Sequence, residues 1–225
     1  MDALDADVLY AGVGDVAWSF PIMQGDVFRD VSLPGFDTPM TVQVVMHPCV
    51  MREGDGRLRP RITVAPVVEY EKVTGYVWAK HLRVMPLPKL VPDGGTDHAT
   101  AFVDTTSSPS SELTLERRIA TLSQPGLLVL QQRLIVHATR YAEVDLESLR
   151  KQSAPVLMEC ELQTDWVEAV IERGGQTLEV VDAATTEFLE WLGNGEGSRR
   201  ERLYNEANYP ALRRETRAEI ALRYE

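Results

Sequence analysis

Up to about residue 124, apolar positions come in short, β-branched runs separated by turn residues. "GDVFRDV" (25–31) alternates Val27 and Val31 with charged neighbours, the period of a half-buried strand. "SLPGFDTP" breaks the chain, and "MTVQVVM" (40–46) resumes it. In "REGDGRL", Asp55-Gly56 supplies the positive φ of a tight hairpin, so "RITVAPVV" (61–68) is predicted to return as the partner strand. Further strands are predicted at 75–79, 82–87, 99–103 and 116–123, with "VPDGGTDH" and "TTSSPSSE" as flexible, exposed insertions.

After Pro125 the period changes to that of helices. Leu127, Leu130, Leu134 and Ala138 share one face of a helix over 126–142, with Arg133, His137 and Arg140 on another, solvated face. A second helix is predicted to start at Pro155, in a first turn that tolerates proline, and to run to 172. "TLEVV" reads as a short strand, "DAATTEFLEWLG" as a helix capped by Asp182 and ended by Gly193. The terminal segment reads as a helix interrupted at Tyr209-Pro210. The expected fold class is α+β: an acidic segment (1–22), a small SH3-like β-barrel (23–124), a helical region (125–194) and an arginine-rich terminal helix (195–225).

Composition changes this picture little. Apolar residues are 44% and charged residues 25% of 225, ordinary for a globular chain. No apolar run suits a membrane span and the acidic start is unlike an export signal, so a cytoplasmic protein is expected. Cys49 and Cys160 are too few for a disulfide framework or an all-cysteine zinc site. Charge matters more. A net charge of -11 argues against a general duplex binder. The distribution is uneven: six aspartates face one arginine in residues 1–30, and seven arginines face five glutamates in the last 27. The two ends are candidates to meet each other or a partner.

Two groups of residues carry candidate chemistry. His47 and Cys49 would share a face if their strand continued, as nucleophile and base or as half of a zinc site. No spacing recommends further ligands, so no metal and no cofactor are expected. Arg57, Arg59 and Arg61 alternate, with Arg52 across the turn. On a strand such guanidinium groups would stand roughly 7 Å apart, near the phosphate repeat of an extended single strand.

The succession "GDVF", a proline-bearing turn, "MTVQVVM", a loop, "ITVAPV", and later "ERRIATLSQPGLLVLQQRL" resembles PemK/MazF-like toxins over about residues 24–135. That resemblance implies an SH3-like barrel from a toxin-antitoxin or phage-defence setting and metal-independent cleavage of single-stranded RNA. The chain departs from the family where it would need catalysis: Thr38-Pro39 replaces an arginine-proline, and Val67 or Val68 replaces a threonine.

Three readings follow. In the first, a non-catalytic binding module contacts single-stranded nucleic acid or a protein partner through Arg52, Arg57, Arg59 and Arg61. In the second, an endoribonuclease uses His47, Arg52 and Arg61 as its catalytic candidates. In the third, a structural subunit docks through its acidic and arginine-rich ends, with homo-oligomerisation open.

Overall fold

A computed structural model describes residues 6–70, 83–91, 96–139, 146–194 and 197–224. The chain divides into two compact units, one of Met1–Val16, Ile22–Met51 and Leu58–Leu149, the other of Ala17–Pro21, Arg52–Arg57 and Arg150–Glu225.

Among its described residues the first unit contains a helical turn, α1 (Ala6–Leu9), and eight strands: β1 (Tyr10–Val13), β2 (Val27–Val31), β3 (Met40–Val44), β4 (Arg61–Glu69), β5 (Val84–Leu87), β6 (His98–Ala101), β7 (Thr106–Pro109) and β8 (Arg118–Leu122). A second helical turn, α2 (Pro48–Met51), follows β3, and α3 (Gln124–Thr139) follows β8. The strands form one curled antiparallel half-barrel in the order β1-β8-β2-β3-β4-β6-β5, with β7 also on β4. The α+β expectation is therefore met: strands first, helices after.

The curl has a local origin in β4. Its first half pairs with β7, Ile62 opposite Ser108, and its second half with β6, Val67 opposite Thr100. Irregular register in β2 between Phe28 and Val31 adds bend, as bulges do. Both faces of the sheet are covered, which explains the near-continuous apolar run of β4. Phe28, Val42, Val44, Ile62 and Val64 build one core, and Val27, Val45, Ala65 and Val67 belong to the other, which α3 joins through Leu130.

Several buried polar side chains of this unit bond to one another. Asp26, fully buried, accepts from Met23 N at 3.0 Å, from Arg118 Nη1 at 3.2 Å and from Thr121 Oγ1, tying the entry of β2 to β8. Beside it, Gln131 Nε2 donates to Gln24 Oε1, Gln24 Nε2 to the Val45 carbonyl, and Thr100 Oγ1 to Gln43 Oε1. Gly25 has φ +94°, and a Cβ there would come within 2.8 Å of Leu122.

The second unit is helical: α4 (Leu146–Gly174, mostly within it), α5 (Leu178–Gly193), α6 (Arg199–Arg202) and α7 (Tyr209–Tyr224). Trp166 sits at its centre, 5.2 Å from the Trp191 ring and 5.8 Å from that of Phe188. The arginine-rich end is matched by glutamates of the same unit. Arg213 grips Glu161 at 2.6 and 2.8 Å, Arg202 grips Glu215 at 3.0 and 2.7 Å, and Arg223 reaches Glu219 and Glu187.

Several expectations need correction. β1 had no sequence signal, and 106–109 is a strand with a buried Ser108, not a flexible insertion. Pro155 lies inside a 29-residue helix. Residues 178–181 are helical, and the cap of α5 is Thr177, whose side chain accepts from Val180 N, not Asp182. Tyr209-Pro210 opens α7 instead of interrupting it, because the break falls at 203–208. Arg133 is buried and donates to the Val84 carbonyl at 3.1 Å, so its face of α3 is not solvated; burial lowers its guanidinium to about 10. The strand expected at 75–79, Arg140 and residues 92–95 of "VPDGGTDH" lie outside the described residues. Among the described residues no helix is long and apolar enough to cross a membrane.

Candidate functional site

β3 stops at Val44, and the chain turns into α2 with Pro48 as its first residue, where a missing N–H costs nothing. The His47 carbonyl accepts from Val50 N at 2.9 Å and Met51 N at 3.2 Å. His47 and Cys49 therefore do not share a strand face. The His47 Nδ1 accepts from Cys49 N at 3.3 Å, while Nε2 is buried. Burial lowers the pKa of this imidazole, favouring its neutral form, but neither nitrogen is offered to a substrate. Cys49 is exposed, and partial desolvation pushes its thiol up, the wrong direction for a nucleophile. Among the described residues no group of three potential metal ligands forms.

The segment 52–57 folds as the tight turn its sequence calls for. Gly56 N donates to the Glu53 carbonyl at 2.9 Å, and Glu53 N to the Arg57 carbonyl at 2.9 Å. Gly56 has φ +89°, and a Cβ there would sit 2.6 Å from both Arg200 Nη2 and Leu189 Cδ2. Glycine is thus required twice, by conformation and by space. Arg200 is held in place: Nη1 donates to Glu159 Oε1 at 2.9 Å, and Nη2 to the Asp55 carbonyl at 3.2 Å.

The flanks of this turn are not the extended hairpin expected. β4 begins only at Arg61, so Arg61 alone of the alternating arginines lies on a strand. Arg52 and Arg57 belong to the helical unit, Arg59 and Arg61 to the sheet unit. Arg52 is half-buried and its Nη2 lies 3.8 Å from Cys160 Sγ. Arg57 is exposed, with Nε 3.9 Å from Asp55 Oδ2. Arg59 and Arg61 are exposed and hold no ion pair among the described residues.

No family model and no curated protein matches this chain. Its site must be read from its own geometry.

The helical unit also holds an open groove of about 700 Å³ that sequence reasoning missed. Arg57 and Asp55 form part of its wall, with Glu190 of α5 and Arg200, Glu201 and Tyr204 of the α6 region. Its one sequence signal was Tyr204, an aromatic in a charged segment, left 81% exposed by the fold.

Proposed function

We propose that this chain is a non-catalytic binding module that contacts single-stranded nucleic acid through Arg59, just before β4, and Arg61, the first residue of β4. The observation that carries this reading is their exposure without an ion pair among the described residues, in a chain whose terminal arginines are largely matched by carboxylates. An unmatched, exposed guanidinium gains most from a phosphate, to which it donates two parallel hydrogen bonds. The resemblance to PemK/MazF-like barrels, which act on single-stranded RNA, agrees with this ligand class. A bacterial or phage origin and a cytoplasmic location belong to the same reading.

Cleavage is not part of the proposal. A general base must reach the attacking hydroxyl, and the buried Nε2 of His47 does not. The docking-arm reading weakens as well, because the terminal arginines are engaged by Glu159, Glu161, Glu187, Glu215 and Glu219 of the same unit.

The test is fluorescence anisotropy with labelled mixed-sequence single-stranded RNA and DNA across a salt series. Each phosphate neutralised on a single strand contributes a slope of about 0.7 in log affinity against log salt. Changing Arg59 and Arg61 together to glutamine should flatten that slope by about 1.4. Absence of binding at low salt, or an unchanged slope in the double variant, refutes the proposal. Nuclease-resistant capture of a protein that depends on the same arginines would assign them to an acidic protein partner instead.

A further inference from the structure

The helical unit twice sets an arginine between an aromatic ring and a carboxylate. The guanidinium carbon of Arg199 lies 4.3 Å from the centre of the Trp191 ring, and its Nε lies 3.4 Å from Glu215 Oε2. That of Arg223 lies 5.2 Å from the Trp166 ring, and its Nε donates to Glu219 Oε1 at 2.7 Å. The pairing has a simple basis. A guanidinium is flat and weakly hydrated, so it can stack on a π face while its edge donates to a carboxylate.

The open groove presents the same components a third time without the cation. Tyr204 is 81% exposed. Glu190 and Glu201 line the same groove, are exposed, and hold no ion pair among the described residues. The arginines of the wall do not fill the gap. Arg200 is committed to Glu159 and to the Asp55 carbonyl, and Arg57 leans towards Asp55. The uncompensated charge of the groove is therefore negative, beside an aromatic face. At about 700 Å³ it is larger than one side chain requires and accommodates a short run of peptide.

We propose that this groove docks an arginine-bearing segment of a protein partner, with one guanidinium stacked on Tyr204 and hydrogen-bonded to Glu190 or Glu201. Arginine fits better than lysine because only its planar fork can stack and pair with a carboxylate at once. Its recognition residues, Tyr204, Glu190 and Glu201, and its ligand charge differ from those of the nucleic-acid reading, so either can fail alone.

The test uses the full chain and a fluorescein-labelled peptide of alternating glycine and arginine, with lysine and citrulline versions as comparisons. Binding should rank arginine, lysine, citrulline, the uncharged citrulline peptide losing about tenfold or more. Tyr204→Ala should weaken the arginine peptide about fivefold, while Tyr204→Phe, which keeps the π face, should bind like the wild type. Joint Glu190→Gln and Glu201→Gln should erase the preference for arginine over citrulline. Circular dichroism checks that each variant is folded. Equal binding by wild type and variants would mean general attraction to an acidic protein and overturn the proposal. Absence of binding to any peptide, or self-association of the chain that Tyr204→Ala abolishes, would overturn it equally.

Discussion

Removing the carboxylate of Asp26 should be among the costliest single changes in the sheet unit. Both side chains of the Asp26–Arg118 pair are fully buried, with Nη1 to Oδ2 at 3.2 Å. Asp26 also accepts from Met23 N and Thr121 Oγ1. Asp26→Ala takes the carboxylate from a buried guanidinium and leaves two further donors without that acceptor. Breaking a buried pair from one side costs about 3–5 kcal/mol, a large part of the 5–15 kcal/mol that holds a typical domain. Replacing both members is a different experiment. Asp26→Asn with Arg118→Met removes both charges; the amide oxygen accepts from Met23 N in place of Oδ2 and the amide NH2 donates to the Thr121 hydroxyl in place of Oδ1, so it should cost only about 1–2 kcal/mol. Urea denaturation followed by far-ultraviolet circular dichroism gives the four corners of the cycle, with Asp26→Asn and Arg118→Met as the singles. The reasoning requires that each single variant be less stable than the double one. If the losses simply add, with a coupling below about 0.5 kcal/mol, the pair is not the electrostatic unit described.

Two further outcomes are expected. Gly56→Ala forces a Cβ into Arg200 and Leu189 at a φ of +89°, so it should destabilise by about 1–3 kcal/mol, read as a fall in thermal midpoint; an unchanged midpoint would contradict the packing of this turn. Hydrogen bonds from Arg213 and from Arg202 hold the carboxyls of Glu161 and Glu215 below the ordinary glutamate range. Groups lowered on folding stabilise above their unfolded pKa and lose that contribution as pH falls through the folded one. The thermal midpoint should therefore drop as the pH falls below the ordinary glutamate range, and Arg213→Gln should make the drop shallower.

What could be read from the sequence was the local grammar. The apolar run of β4 and the Asp55-Gly56 turn carry their structure in adjacent residues, and both form where expected. β1 does not: "YAGV" is short, contains a glycine, and becomes a strand only by pairing with β8 more than a hundred residues later. The serine-rich stretch 106–109 reads as a loop because its pairing with β4 runs through backbone groups, on which composition is silent. "LEVV" has strand-like propensity, yet Val181, Ala184, Phe188 and Leu192 bury one helical stripe, and burial outweighs propensity. Pro155 shows the same override: a long amphipathic helix with Leu162 and Trp166 fully buried absorbs one missing hydrogen bond. At the candidate site, the exposed arginines were legible as residue types. The groove was not, because Arg200, which packs over Gly56, is distant in the chain from the turn it closes.

The same distinction bears on which charges face outward. Counted from the sequence, the last 27 residues look like a cationic arm and the chain as a whole like an anion. In the fold, most of that arm is cancelled at short range, by the two-point contacts of Arg213 with Glu161 and of Arg202 with Glu215. Charges cancelled within a few ångströms project little field beyond the Debye length of about 8 Å, whereas unmatched ones remain available to a partner. Arg59 and Arg61 on one unit, Glu190 and Glu201 on the other, are such unmatched groups among the described residues. Recognition by this protein is therefore expected to follow these few positions and not its net charge: neutralising Arg214, exposed on α7 outside both sets, should alter neither the nucleic-acid salt slope nor the arginine-peptide preference.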